Sequence, residues 1–131
     1  MKKIGVLNKD ISEVIAGLGH MDMLVIGDAG LPIPATTRRI DVAISAGIPG
    51  FVDTVRAVSA EMQVQRLIVA RETSTQSPHI LESLRQLFPG VELVEVSHEE
   101  LKDLSRKAVA VIRTGEFTPY ANVVLVAGVV F

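Results

Sequence analysis

Apolar residues along this chain follow two alternating rhythms: faces spaced at three or four residues, and short unbroken runs. Ile11, Val14, Ile15 and Leu18 recur at helical spacing, with Asp10 or Ser12 available as a cap and Gly19 placed where a helix ends. That helix delivers His20 just past its end. Met23 to Gly27 is a continuous apolar run that closes on Asp28-Ala29-Gly30-Leu31-Pro32-Ile33-Pro34, which reads as a buried strand feeding a loop stiffened by two prolines. Arg39 to Ala43 is a weaker strand. Gly47-Ile48-Pro49-Gly50 then breaks the chain before Phe51, Val55, Val58 and Met62 mark a helix face, and Gln65 to Ala70 reads as another buried strand.

A polar stretch from Thr73 to Pro78 precedes a helical pattern through Ile80, Leu81, Leu84 and Leu87, which Pro89-Gly90 stops. Val91 to Val96 alternates apolar and acidic residues as a half-exposed strand does. Ser97 followed by Glu100 makes a capping box for a helix carrying His98, Leu101, Lys102 and Leu104. Ala108 to Ile112 and Val123 to Val126 are two further strands, separated by the polar segment Arg113 to Tyr120. Alternating strands and helices predict an α/β fold, a single domain over residues 1–131 in which helices layer both faces of a mixed, mostly parallel sheet (α/β/α). No repeat, linker or low-complexity segment interrupts it.

Composition narrows the function. With 131 residues, 48% of them apolar and 21% charged, the chain has enough apolar surface for one substantial core. A net charge of −2, a single Tyr and no Trp provide neither a basic stripe for phosphates nor stacking platforms for bases, so nucleic acid is excluded as an expected partner. Cysteine is absent, which removes disulfides and thiolate chemistry. No apolar run has the length of a signal peptide core or a membrane span, so we expect a cytoplasmic protein with no membrane partner.

In an open α/β sheet, ligands gather outside strand ends, so the loops beginning at Asp28 and Ser97 are the first places to search. Neither carries a dinucleotide or Walker signature, and the three histidines do not stand at metal-ligand spacing. We expect no cofactor and no metal. What remains is a scattered polar set at element ends: His20, Asp28, His98, Lys102, Tyr120 and Asn122. His98 and Lys102, four apart on one helix, can project from the same face. Each member also has a plainer reading: a helix-end imidazole for His20, a turn residue bonding its own backbone for Asp28, a solvated charge for Lys102, and a turn for Tyr120 and Asn122. His79 lies in a polar, surface-like turn.

Five segments raise the functional reading above the plain one. Lys3-Ile4-Gly5-Val6-Leu7-Asn8, Leu18-Gly19-His20, Asp28-Ala29-Gly30-Leu31-Pro32-Ile33-Pro34, Arg39-Ile40-Asp41, and Arg113-Thr114-Gly115-Glu116-Phe117-Thr118-Pro119-Tyr120-Ala121-Asn122 together closely resemble the D-ribose pyranase family, related to the fucose mutarotases. The likeness runs from Lys2 to Phe131. It implies that His20 is the proton donor, that Asp28, His98 and the Tyr120 to Asn122 segment bind the sugar, and that Lys102 adds a polar contact. The fucose branch lacks the Gly-Leu-Pro-Ile-Pro loop and the Pro-Tyr-Ala-Asn turn in this form, so the resemblance implies D-ribose as ligand. Ala29 stands where some family members carry cysteine, which removes only a weakly polar group.

The implied reaction is an intramolecular isomerisation, interconverting pyranose and furanose rings through the open aldehyde without cofactor. An imidazole, with an ordinary pKa of about 6.5, suits proton transfer near neutral pH. His98, Asp28 or a relaying water can take the anomeric proton. Two other readings share the same hydroxyl-binding residues: a non-catalytic sugar-binding accessory protein, and a fucose or other hexose mutarotase. The family is oligomeric, and the resemblance implies a ring-shaped homo-oligomer, a decamer or octamer. The chain adds its own argument, because His20 precedes the Met23 to Gly27 strand and Asp28 follows it. Five strand residues at about 3.3 Å each hold those positions roughly 16 Å apart. Either a neighbouring subunit completes the site, which we expect, or the segment is not a regular strand and the loop doubles back.

Overall fold

The unbroken apolar runs pair into one six-stranded sheet in the computed structural model, which describes residues 1–131. In chain order the elements are α1 (Lys9–Gly17), β1 (Met23–Gly27), β2 (Arg38–Asp41), α2 (Phe51–Ser59), β3 (Val64–Ala70), α3 (Arg71–Gln76), α4 (Pro78–Leu87), β4 (Glu92–Val96), α5 (His98–Ser105), β5 (Ala110–Arg113) and β6 (Val123–Ala127). The strand order is β2-β5-β1-β6-β3-β4. Pairings β2 with β5, β5 with β1 and β3 with β4 are parallel, whereas β6 runs antiparallel to both of its neighbours, β1 and β3. The sheet is therefore mixed and mostly parallel, with its reversed strand near the centre.

Both faces are covered, which is why β1, β5 and β6 lack polar alternation. On one face α1, α2 and α4 contribute Ile11, Val14, Phe51, Val55, Val58, Ile80 and Leu84, packed against Leu24, Ile26, Leu67, Ile112, Val123 and Leu125. On the other, Leu101 of α5 and Leu31 of the proline loop cover Val25, Val111, Val124 and Ala70. Burying a side chain of this size contributes about 2 kcal/mol. No helix is long and apolar enough to cross a membrane.

Three local features depart from the sequence reading. Asn8, rather than Asp10 or Ser12, caps α1, its side chain accepting from Ile11 N at 3.0 Å; Asp10 pairs with Arg38, and the Ser12 hydroxyl donates to the Val6 carbonyl. Strand β5 begins at Ala110 rather than Ala108, because Lys107 and Ala108 still turn out of α5 through bonds to the carbonyls of Leu104 and Ser105. The polar stretch after β3 contains a helix, α3, which has no apolar stripe to announce it. Its polar side chains find partners in the protein instead.

Gly115 shows how tightly the connection from β5 to β6 is held. Its N–H donates to the Pro49 carbonyl and its own carbonyl accepts from Gly47 N, and a Cβ here would lie 2.5 Å from the carbonyl oxygens of both Ser45 and Ile48. Those are backbone atoms, so no side-chain rotation relieves the contact. Gly17, the last residue of α1, has nothing within 4 Å of the equivalent position. Gly115→Ala is expected to lower the thermal unfolding midpoint by several degrees, while Gly17→Ala leaves it unchanged or raises it, as favoured at an unobstructed helical glycine. Differential scanning calorimetry of the two variants checks both signs.

Candidate active site

Reversal of β6 places the start of that strand beside the ends of β1 and β3, and the parallel pairings bring the ends of β4 and β5 to the same side. Asp28, Arg113, His98 and the turn before Asn122 consequently converge at one edge of the sheet. Asn122 is completely buried and makes a reciprocal pair with Asp28: its Oδ1 accepts from Asp28 N at 2.9 Å, and its Nδ2 donates to Asp28 Oδ2 at 2.9 Å. The other Asp28 oxygen accepts from Gly30 N at 2.9 Å. An ionised carboxylate has about four lone-pair sites, so these bonds orient Asp28 while leaving it capacity to accept from hydroxyls. The half-buried carboxylate faces a cavity of about 390 Å³ bounded by Ala29, Gly30, Arg113 and the Glu116–Pro119 segment.

Gly27 permits this arrangement. A Cβ there would fall 2.8 Å from Asn122 Oδ1 and 2.6 Å from Leu31 Cδ2, and Asn122 is locked by two bonds in a buried setting. Thr114 closes the strand end by donating from both its hydroxyl, at 2.8 Å, and its N–H, at 3.0 Å, to the Gly27 carbonyl. Arg113 reaches across with Nε donating to the Ala29 carbonyl at 3.0 Å, and pairs with Asp41 at 3.1 Å.

Tyr120 lies in the turn that leads to Asn122, with a backbone φ of 60° that non-glycine residues seldom adopt. Its ring meets the His98 imidazole edge-on, the centroids 5.1 Å apart. His98 Nδ1 is buried and makes no hydrogen bond within the chain. Asp28, His98, Tyr120 and Asn122 thus gather at the same end of the sheet.

Two other residues singled out from the sequence lie elsewhere. Lys102 pairs with Glu99 and borders a smaller hollow with Pro32, Ile33 and Pro34. His20 stands at the opposite end of β1, exposed, with Nε2 3.0 Å from Gln65 Oε1. Beside it, Ile15, Leu18, Met62 and the C-terminal residues Val129 to Phe131 line a separate cavity of about 500 Å³. The segment from Met23 to Gly27 is a regular strand, so the loop does not double back.

Sequence reasoning passed over several residues that shape this end of the sheet: Glu72, Thr73, Ser77 and Glu116. Thr73 and Ser77 carry no periodic signal, because Ser77 lies past the end of α3 with a non-helical φ of −140°. Glu116 carries only half of one: Thr118 is a local partner two residues on, but the Phe51 N–H that it also holds comes from a distant helix.

Comparison with known proteins agrees with this architecture. Residues 1–130 match the RbsD / FucU transport protein family. A D-ribose pyranase of Chloroflexus aggregans is 61% identical over 131 residues, covering all of both chains. The structure of Bacillus subtilis RbsD complexed with D-ribose superposes with a TM-score of 0.97 at 46% identity, again over the whole of both chains. A Streptococcus pneumoniae fucose mutarotase in complex with L-fucose shares the fold, with a TM-score of 0.81 at 23% identity over 95% of each chain.

Glu116 gives this end of the sheet a measurable acid sensitivity. Burial acts to raise its carboxyl pKa, but the bonds from Phe51 N at 3.0 Å, from the Thr118 hydroxyl at 2.7 Å and from Thr118 N at 3.1 Å outweigh it, and the pKa falls below the ordinary 4.5. A lowered folded-state pKa means that the ionised group stabilises the fold above about pH 4.5 and loses that contribution as pH falls through the folded value. Glu116→Gln is expected to be less stable than the parent at neutral pH, with the difference shrinking below pH 4.5. Urea unfolding at a series of pH values reads that convergence, and a pH-independent gap would contradict it.

Proposed function

The chain belongs to the RbsD / FucU transport protein family, and from that membership we propose that it acts as a D-ribose pyranase, an isomerase interconverting the pyranose and furanose forms of D-ribose. The carrying observation is the reciprocal Asp28–Asn122 pair, set at the same strand ends as Tyr120 and His98, in a chain that matches a ribose-complexed relative over its full length. These four residues are assigned to the sugar. Asp28 accepts from hydroxyls with its uncommitted lone pairs, Asn122 fixes the carboxylate, and the half-buried His98 imidazole supplies a ring nitrogen as a hydrogen-bonding group. Lys102 lies in a separate hollow with Pro32, Ile33 and Pro34.

Opening the pyranose breaks the bond from the anomeric carbon to the ring oxygen. One proton leaves the anomeric hydroxyl and one is delivered to the ring oxygen, giving the open aldehyde, which the C4 hydroxyl then attacks to close the furanose. Protons and electrons balance within the sugar. We assign proton delivery to His20, whose imidazole is exposed and whose Nε2 lies 3.0 Å from the Gln65 side-chain Oε1. Since His20 and Asp28 flank opposite ends of β1, roughly 16 Å apart along the strand, the proton donor is His20 of the partner subunit in a ring-shaped homo-oligomer. Both ends carry apolar residues suited to burial between subunits: Met21, Val130 and Phe131 near His20, and Ile44, Ile48 and Phe117 near Asp28.

Saturation-transfer NMR on D-ribose measures the exchange directly. Added protein is expected to accelerate it, and His20→Ala to slow the catalysed exchange by roughly 10²–10⁴-fold with a smaller effect on binding. Binding without acceleration would identify a sugar-binding accessory protein. Co-assembly distinguishes shared from single-copy sites: equal amounts of His20→Ala and Asp28→Asn subunits are expected to recover about a quarter of parental activity in mixed rings, because that fraction of sites draws both intact residues. Self-contained sites would recover none.

A further inference from the structure

Helix α3 begins where β3 ends, with no intervening loop, and although it has no apolar face, it and the Ser77 that caps its end bury two hydroxyl side chains. Thr73 is 0% exposed and its Oγ1 donates to the Tyr120 carbonyl at 2.8 Å; Ser77 is 1% exposed and its Oγ donates to the Pro119 carbonyl at 2.7 Å. Consecutive peptide groups of the turn are therefore held by two donors four residues apart. Between them they set the backbone of Tyr120, the residue with φ of 60°. The same helix anchors the backbone that carries the other ring of the pair: Glu72 Oε2 accepts from the His98 backbone N–H at 3.1 Å.

We infer that α3 positions the edge-on His98–Tyr120 pair for the sugar, with Thr73 as the principal positioning residue and Glu72 and Ser77 in support. The inference rests on the assignment of His98 and Tyr120 to the substrate. Neither Thr73 nor Ser77 faces the cavity beside Asp28; they act through the turn. A buried hydroxyl whose one bond fixes a backbone carbonyl in an uncommon conformation is a geometric constraint on the attached ring, and rings held in place before binding lose less freedom when the sugar arrives. The effect belongs to recognition, and so to KM more than to kcat.

Tyr120 is the only tyrosine, so isotope-labelled tyrosine yields a single ring signal set whose cross-peak to the His98 imidazole reports the 5.1 Å contact. Thr73→Val keeps the side-chain shape and removes the donor. It is expected to weaken that cross-peak and raise KM for D-ribose about fivefold to tenfold, the value of one neutral hydrogen bond, with kcat changed less than about twofold. Thr73→Ser restores both. Ser77→Ala is expected to move both readouts the same way and stands in if Thr73→Val fails to fold. A parental cross-peak and KM in the valine variant would overturn the inference, as would a serine variant as impaired as valine, which would assign the effect to packing. Tyr120→Ala and His98→Ala are measured alongside. If they raise KM while Thr73→Val does not, the positioning role alone fails; if they too leave KM unchanged, the substrate assignment has failed.

Discussion

The direction of β6 is the constraint on which the site depends. A parallel strand between β1 and β3 would begin at the far side of the sheet, whereas the antiparallel pairing of Ile26 with Val123 sets Asn122 against Gly27 and Asp28. Every residue of β6 is buried and apolar on both faces, so hydrophobicity alone does not choose its register, and a slip would break the Asn122 pair. The polar pair at the strand start thus complements the core packing along the rest of β6. The same reversal carries the end of β6 back to the His20 side, where the Met21 N–H donates to the Ala127 carbonyl at 2.9 Å.

Around that strand start, the buried polar groups satisfy each other with little redundancy. Asn122 bonds Asp28, Thr114 bonds Gly27, Glu116 holds the first N–H of α2 together with Thr118, and Thr73 and Ser77 hold the turn. In a low-dielectric setting such bonds are strong, and each member left without its partner is costly. The arrangement suits a reaction with no external reactant. Ring opening and closure need a sugar held in one orientation and a proton donor at the ring oxygen, and a rigid frame of strand ends supplies the first of these.

Division of the reading between sequence and structure follows the range of the forces involved. Short-range patterns carried the elements: unbroken apolar runs predicted β1, β3 and β6, helical spacing predicted α1, α2 and α4, and alternation from Val91 to Val96 predicted β4. Helix α3 escaped because it has no apolar stripe; its stability comes from hydroxyls bonded to residues more than forty positions away. The α1 cap moved to Asn8 because several adjacent polar residues were equally competent and their tertiary partners decided among them.

For the site, the sequence by itself determined the chemical inventory: which residues can donate, accept or carry a proton, and, through its motifs, the family and the sugar class. Even the separation of His20 from Asp28 was legible, since a five-residue strand has a fixed rise. Strand order was not legible, because pairing depends on contacts between segments distant in sequence that no local pattern encodes. Only the tertiary structure decided that Asn122 closes on Asp28, that His98 meets Tyr120 while Lys102 borders a separate hollow with the proline loop, and that Thr73 and Glu116 brace the turn between them.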